Sequence, residues 1–360
     1  MKNEGLYVII FIVSKKGRLF ILKKKNRENS KLIGKIKHNT FRFIAMMGFI
    51  MAYMTIFGEE NTLPGVAIYV GIMMFPKMNT GIKLYDMLIM IATLFIGSGI
   101  VAQIGVISPW LALPLNIIYI FITMIVTTEP APYKMNMVFL LPLLFCQSVP
   151  VSIDLFPKRM VGILIATGIT VAVTYIEWKK RGYGEEGRTL KEQIKEGMKY
   201  VDVSARMAFG VSIAILIAAL MNSAKPLWVS IVVMSLTQID TSDMVDRIKY
   251  RTIATVCGIF FFSIVFGYIF PVEYAAILVM ILGYVGFFID EYKYKQFINF
   301  ISSINASLII FNAETAMVNR FIGLFMGIVI VLTLHIISSG IRFLVEKIRD
   351  REMDIFDAEY

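Results

Sequence analysis

Hydrophobic residues of this chain are grouped into stretches as long as whole helices, and polar residues are grouped between them. Long apolar stretches, several of them 17 residues or more without a charge, are separated by short polar segments. Such a stretch is long enough to cross a hydrocarbon core about 30 Å thick. The pattern predicts an all-α polytopic membrane protein with about 12 transmembrane helices. The predicted spans are 41–58, 64–76, 86–107, 110–127, 135–150, 160–177, 207–222, 226–239, 252–270, 272–289, 296–312 and 320–341.

Two of the predicted spans, 64–76 and 226–239, are short for a bilayer. We expect them to be tilted, partly re-entrant or supported by neighbouring helices. The composition agrees with a membrane protein, because 57% of the 360 residues are apolar and 17% are charged. A soluble domain of this length would expose more polar surface and would contain shorter apolar runs.

The basic residues are concentrated on one side of the predicted membrane. If the N-terminus is cytoplasmic, 32 of the 36 Lys and Arg residues fall on the cytoplasmic side and four on the outer side. This asymmetry follows the positive-inside tendency and predicts a multi-pass protein of the cytoplasmic (inner) membrane with both termini in the cytoplasm. The net charge of +10 therefore indicates topology and contact with membrane lipids. Nucleic acid is not an expected partner.

Matching residues recur at an offset of about 162 positions. An even number of spans separates the copies, so the copies share one orientation and predict two parallel six-helix repeats. The matches include Gly48 with Gly210, Pro64 with Pro226, 91–93 with 253–255, and, at an offset of 161, Arg159 with Arg320. The predicted segments are a basic cytoplasmic segment (1–40), the first repeat (41–178), a cytoplasmic linker (179–205), the second repeat (206–345) and a cytoplasmic tail (346–360).

The second repeat carries a motif of basic and small residues. After the proline-aromatic start 226–228, the residues Arg247, Arg251, 254–255 and Gly258 read R-x3-R-x2-A-T-x2-G. This segment resembles the fusaric acid resistance and aromatic acid exporter superfamily, in particular its compact members without large cytoplasmic domains. The first repeat keeps only a faded copy without the two arginines. The resemblance implies efflux of small, often aromatic, carboxylates, and some relatives behave as anion channels.

Arginine and tryptophan supply the candidate anion-binding residues, because the forked guanidinium suits a carboxylate. Arg247 and Arg251, near the cytoplasmic boundary, either attract anions or pair with nearby aspartates. Arg159 and Arg320, at equivalent outer ends, either form exit sites for an anion or act as interfacial anchors. Trp228 is either an aromatic binding platform or a belt residue. The acidic partners expected for these arginines are Asp154, Asp240, Asp243, Asp246 and Glu314.

The eleventh and twelfth spans contain the other candidates. Ser302 and Asn305, with Asn299 and Ser303 at helical spacing, give the eleventh span a polar face. That face either lines a substrate path or bonds neighbouring helices. His335 is the clearest titratable group within a span. Its protonation would couple export to a proton gradient, whereas the alternative is a neutral imidazole bonded to a neighbouring helix.

Other chemistry has little support in the sequence. No nucleotide-binding motif, paired catalytic residues or metal-ligand spacing is recognisable, so we predict neither an enzyme nor a cofactor or metal site. Cys146 and Cys257 both lie in apolar spans and are expected to be small core residues.

The leading hypothesis is a proton-driven secondary transporter that exports small amphipathic or aromatic organic anions. The alternatives are a passive anion channel and a non-transport envelope assembly or lipid-binding protein. The expected partners beyond the anion and lipids are a second copy of the chain and a periplasmic adaptor protein.

Overall fold

The computed structural model describes residues 15–221, 227–265, 268, 274–289, 291–307 and 313–358. The α-helices of this part are α1 (Lys15–Phe57), α2 (Thr62–Met74), α3 (Leu84–Ile107), α4 (Pro109–Thr127), α5 (Met135–Ser148), α6 (Phe156–Arg181), α7 (Leu190–Gly197), α8 (Val201–Leu220), α9 (Leu227–Leu236), α10 (Thr241–Ile264), α11 (Ala275–Gly286), α12 (Tyr292–Ser307) and α13 (Ala313–Ala358). Short 3-10 helices cover Glu59–Asn61, Phe75–Lys77, Ala131–Tyr133 and Met198–Tyr200.

The described chain is an all-α polytopic membrane protein, as the apolar pattern predicts. Each of the twelve predicted spans overlaps a helix. Six helical segments of the described residues are long and apolar enough to cross a membrane. Helices α5 and α9 are shorter apolar helices, so twelve full crossings remain a prediction. The six segments are Ile33–Phe57, Leu84–Ile107, Pro109–Thr127, Phe156–Arg181, Leu190–Leu220 and Glu314–Arg349.

The first and last helices extend beyond the predicted spans. Helix α1 begins at Lys15, within the segment expected to precede the membrane, and α13 continues to Ala358 through the expected tail. Hydropathy locates only the apolar part of a helix. Lysine, arginine and glutamate are good helix formers, so a charged extension of a span remains helical where it leaves the apolar phase.

The helices pack into two bundles that meet along α4 and α8. In the first half α3 contacts α5 and α6, and α2 contacts the same two helices. In the second half α10 packs against α12, and α9 packs against α8 and α13. In both halves a helix therefore packs against the next helix but one along the chain, α3 against α5 and α10 against α12. The two-repeat layout itself remains a prediction.

The predicted linker contains a short helix that is docked against the first half. Helix α7 begins with a capping box. The Gln193 amide donates hydrogen bonds to the carbonyls of Val126 and Glu129, at 3.1 and 2.6 Å. Gly197 lies against Ile125 so closely that a Cβ there would be 1.7 Å from the carbonyl oxygen. Only glycine fits this contact, which fixes the linker to the end of α4.

The interior of the first half is filled by apolar side chains. Phe75, Phe95 and Phe139 are buried, and the ring centroids of Phe75 and Phe139 are 4.8 Å apart. The Phe95 and Phe139 rings are 5.6 Å apart. These residues come from the turn after α2, from α3 and from α5. The first half is therefore a closely packed bundle where the three elements meet.

Candidate functional site

One face of α10 carries the motif predicted from the sequence. Arg247, Arg251, 254–255 and Gly258 follow at helical spacing, so their side chains point to the same side. Arg251, Ala254 and Thr255 line a cavity between α9, α10, α12 and α13, which we call the arginine cavity. The motif is therefore the wall of one internal site.

The arginine cavity is small and is lined by both polar and apolar side chains. Its volume is about 10 Å³, which is room for about one water molecule. Its lining residues are Val232, Arg251, Ala254, Thr255, Gln296, Phe300, Arg320 and Leu324. The helices around it must separate before an organic anion can enter.

Two guanidinium groups line this cavity, and no acid of the described residues lines it with them. Arg251 is buried, with 8% of its surface exposed, and its Nε donates a hydrogen bond to the hydroxyl of Tyr292 at 3.2 Å. The Arg320 guanidinium lies over the ring of Trp228, 5.4 Å from the ring centroid. The positive charge of Arg251 repels it. No carboxylate of the described residues forms an ion pair with either arginine. Two positive charges that face one cavity, with no ion-pair partner among the described residues, have the chemistry to attract an anion.

Arg247 lies one helical turn from Arg251 and has different partners. Its Nη1 donates a hydrogen bond to the Ser235 carbonyl at 3.0 Å, and its guanidinium lies 4.5 Å from the centroid of the Tyr292 ring. Of the two alternatives for Arg247 and Arg251, pairing with aspartates is not seen among the described residues, where both arginines contact groups of α9 and α12. The three aspartates Asp240, Asp243 and Asp246 are exposed.

A comparison with known protein families shows what this region is similar to. The family model described as fusaric acid resistance protein-like matches residues 213–334. This part of the chain is therefore similar to that family. The matched residues include all four helix segments that line the arginine cavity. No curated protein and no solved structure matches the chain.

Arg159 lies in the first half of the chain, outside the arginine cavity. Its side chain is 2% exposed. It donates hydrogen bonds to the Asn61 side-chain oxygen at 2.7 Å, the Glu60 carbonyl at 2.9 Å and the Cys146 carbonyl at 3.2 Å. Arg159 does not pair with Asp154, because its guanidinium binds these three groups instead, and these contacts favour the alternative of a structural anchor over that of an exit site. Arg320 does not pair with Glu314 either.

Trp228 lies beneath the guanidinium of Arg320, which lines the arginine cavity. It is 7% exposed, so its ring does not face lipid as a belt residue does. It lies one helical turn from Val232, which lines the arginine cavity. Trp228 therefore has the place expected for an aromatic platform, and its binding role remains a prediction.

The polar residues of α12 are placed differently from the arginines. Ser302 is half-buried and does not line the arginine cavity. Ser303 donates a hydrogen bond to the Phe300 carbonyl of its own helix at 2.8 Å, and Asn299 is exposed. The side chain of Asn305 lies outside the described residues. The structure brings none of the described members of this face to the cavity.

His335 is distant from the arginines along the same helix. It follows Arg320 by 15 residues, which is about 22 Å along a helix axis. It makes no hydrogen bond to the described residues, and its charged neighbours are Asp202, Arg206 and Arg342. A role in proton coupling would therefore act at a distance from the anion site.

Tyr292 and Gln296 are residues at this site that the sequence analysis did not predict. Tyr292, Gln296 and Phe300 follow one another at four-residue spacing on α12, so they share one face. That spacing was available in the sequence. The serines and asparagines of α12 instead predicted a polar face next to this one, because short polar side chains commonly form hydrogen bonds between membrane helices. Cys257, expected in the core, is exposed, whereas Cys146 is buried.

A second, larger cavity lies between the two halves near the start of α10. Its volume is about 260 Å³, and Lys134, Gln238, Asp240 and Asp243 are among its lining residues. The Lys134 ammonium is 3.4 Å from the side-chain oxygen of Gln238. Burial, and then the nearby charge of Arg247, lower the pKa of Lys134. This second cavity contains both acidic and basic groups, whereas the charged side chains that line the arginine cavity are two arginines.

We expect Gly258→Ala to destabilise the fusaric acid resistance-like bundle. A Cβ at this position would lie 2.1 Å from Cδ1 of the buried Phe300 ring. Overpacking of this kind costs about 1–3 kcal/mol, so the variant should unfold at a lower temperature in detergent. The matched control is Gly340→Ala on α13, where no atom lies within 4 Å of the added Cβ. Equal melting temperatures for the two variants would contradict the close packing of α10 against α12.

Proposed function

We propose that this protein is a membrane transporter of the fusaric acid resistance type that exports small organic anions. The arginine cavity is its anion-binding site. The observation that carries this proposal is the convergence of Arg251 and Arg320 on one cavity without a described carboxylate partner. The family match over residues 213–334 supports the same class of function.

The energetics of charge in a membrane support an anionic substrate. A charged residue at the centre of a membrane helix costs roughly 2.5–3.5 kcal/mol on insertion scales. Two such residues of the same sign add repulsion to that cost. A carboxylate between them would restore charge balance and would accept hydrogen bonds from one or both guanidinium forks. The platform formed by Trp228 beneath Arg320 would favour an anion with an apolar or aromatic body.

The size of the cavity supports transport by a conformational cycle. A volume of about 10 Å³ cannot hold an aromatic acid. The substrate therefore enters only when the four surrounding helices move apart, and it leaves when they part on the other side. A continuously open pore would need a wider passage at this level. Location in the inner membrane, outward direction, proton coupling through His335, self-association and a periplasmic adaptor all belong to this proposal.

An accumulation assay tests the proposed function. Cells that lack the chain should accumulate more of a supplied aromatic acid, such as benzoate, than cells that express it. An uncoupler should abolish that difference, and expression of the His335→Gln variant should restore export only weakly, because a glutamine cannot carry the proton. Export that continues unchanged with the uncoupler would favour a passive channel. Equal accumulation with and without the chain, across a panel of acids, would contradict transport.

A further inference from the structure

The arginine cavity is covered at one end by a layer of side chains one helical turn away from it. On α10, Arg247 precedes the cavity residue Arg251 by four positions. On α12, Tyr292 precedes the cavity residue Gln296 by four positions. Both covering residues lie at the helix ends that are predicted to be cytoplasmic.

The third helix contributes to the same layer. On α9, Ser235 follows the cavity residue Val232 by three positions toward the end of that helix. The Ser235 carbonyl accepts a hydrogen bond from Arg247, and the Ser235 and Tyr292 hydroxyl oxygens are 3.5 Å apart. Three helices are therefore joined across one end of the cavity, and we call these three residues, Ser235, Arg247 and Tyr292, the covering layer.

Tyr292 is the only member of the covering layer that also binds a cavity arginine. Its hydroxyl accepts the hydrogen bond from Nε of Arg251 at 3.2 Å, while its ring lies 4.5 Å from the Arg247 guanidinium. A phenol oxygen is a neutral acceptor, and a carboxylate oxygen is a stronger one for the same donor. An arriving anion can therefore replace the tyrosine on Arg251, and the tyrosine can return when the anion leaves.

We propose that Tyr292 is the gate of the arginine cavity on the predicted cytoplasmic side, and that an anion opens it by displacing the Tyr292 hydroxyl from Arg251. This inference rests on the proposed function for the identity of the ligand. The geometry of the covering layer stands independently of it. The cation–π contact with Arg247 holds the ring in the closed position, since a guanidinium over an aromatic face is attracted to it.

Thiol labelling inside the cavity tests the gate without a transport measurement. The reporter is Thr255→Cys in a chain whose own cysteines are replaced by Cys146→Ala and Cys257→Ser. An anionic methanethiosulfonate reagent is supplied from the predicted cytoplasmic side of membrane vesicles. Tyr292→Ala should raise the labelling rate by about tenfold or more, because it removes both a charge-assisted hydrogen bond and a cation–π contact. Tyr292→Phe, which keeps the ring, should give a smaller increase.

The matched control is Tyr294→Ala, two residues further along α12. Tyr294 is 55% exposed, and its ring contacts Lys293. It should leave the labelling rate unchanged. Equal rates for Tyr292→Ala, Tyr292→Phe and Tyr294→Ala, all recovered as folded protein by size-exclusion chromatography, would overturn the gate.

Measurements with benzoate test the gate and the proposed function independently of each other. Added benzoate should slow labelling of the Thr255→Cys reporter in the Tyr292→Phe chain, because the anion then occupies a cavity whose arginine has no competing hydroxyl. One outcome is that the tyrosine variants show the expected order of labelling rates, while no variant binds or transports benzoate. That result would support the gate and contradict the proposed function. Benzoate transport without the expected labelling order would overturn the gate alone.

Discussion

Replacing Arg320 with glutamine is expected to reduce anion transport strongly without lowering the stability of the fold. Arg320 faces the like charge of Arg251 and has no carboxylate partner among the described residues. Its removal takes away repulsion in the folded protein, whereas its hydrogen bonds to a bound anion would be lost. Hydrogen bonds to charged groups contribute about 1.5–3 kcal/mol, which corresponds to a loss of transport efficiency of about 10- to 150-fold. Arg251→Gln should have an effect of the same size.

Two further variants make this prediction specific. Arg342→Gln removes an exposed arginine from the same helix and should leave benzoate transport unchanged. Arg320→Lys retains the charge without the fork and should retain part of the activity. Transport is measured as benzoate flux into proteoliposomes, and stability as the melting temperature of the detergent-solubilised protein. A clear fall in melting temperature for Arg320→Gln, with transport retained, would show that the residue is a structural anchor.

Arg159→Gln should have the opposite pattern, although Arg159 and Arg320 occupy matching positions in the predicted repeat. Its three hydrogen bonds join the turn before α2 to the end of α5, and its side chain is buried. Loss of the guanidinium leaves buried carbonyl groups without a donor, at a cost of about 1–3 kcal/mol for each unsatisfied group. We expect a strongly lowered melting temperature and a low yield of folded protein.

The transport rate per folded molecule distinguishes the structural role expected for Arg159 from the binding role expected for Arg320. The Arg159→Gln protein that does fold should transport benzoate at close to the wild-type rate, because the guanidinium lies outside the arginine cavity. Lys158→Gln, at the neighbouring exposed position, is the control for general loss of charge. A normal melting temperature together with lost transport would place Arg159 in the anion path and contradict the structural role.

The membrane class and the helix positions could be predicted from the sequence because they depend on local patterns. Apolar runs determine where helices can cross a bilayer, and all twelve predicted spans overlap helices. The motif on α10 was also visible, because Arg251 and Thr255 are separated by one helical turn. Full crossing of the short helices and the orientation depend on the membrane itself, and they remain predictions.

The partners of the arginines could not be predicted, because they come from distant parts of the chain. Asn61 and Arg159 are 98 positions apart, and Arg251 and Tyr292 are 41 positions apart. Sequence reasoning favoured nearby acids such as Asp154 and Asp246, since opposite charges attract. Burial of the helices against one another instead places carbonyl, amide, phenol and aromatic groups beside these guanidinium forks.

The two halves of the chain differ in what fills their interiors. In the first half, Phe75, Phe95 and Phe139 pack together between α3 and α5. In the second half, α10 and α12 enclose the arginine cavity, and Gly258 allows Phe300 to approach closely. The family match covers residues 213–334 of the second half. These differences favour a functional site in the second half, supported by a packed first half.

The most direct test of the account is whether an anion binds between Arg251 and Arg320. A ligand that binds only the folded protein stabilises it, by about 2.7 kcal/mol when its concentration is 100 times the dissociation constant. Benzoate should therefore raise the melting temperature of the purified wild-type protein, whereas uncharged benzyl alcohol should not. The double variant Arg251→Gln/Arg320→Gln should show no benzoate effect. An equal benzoate-induced increase in the double variant, or none in the wild-type protein, would contradict an anion site at these two arginines.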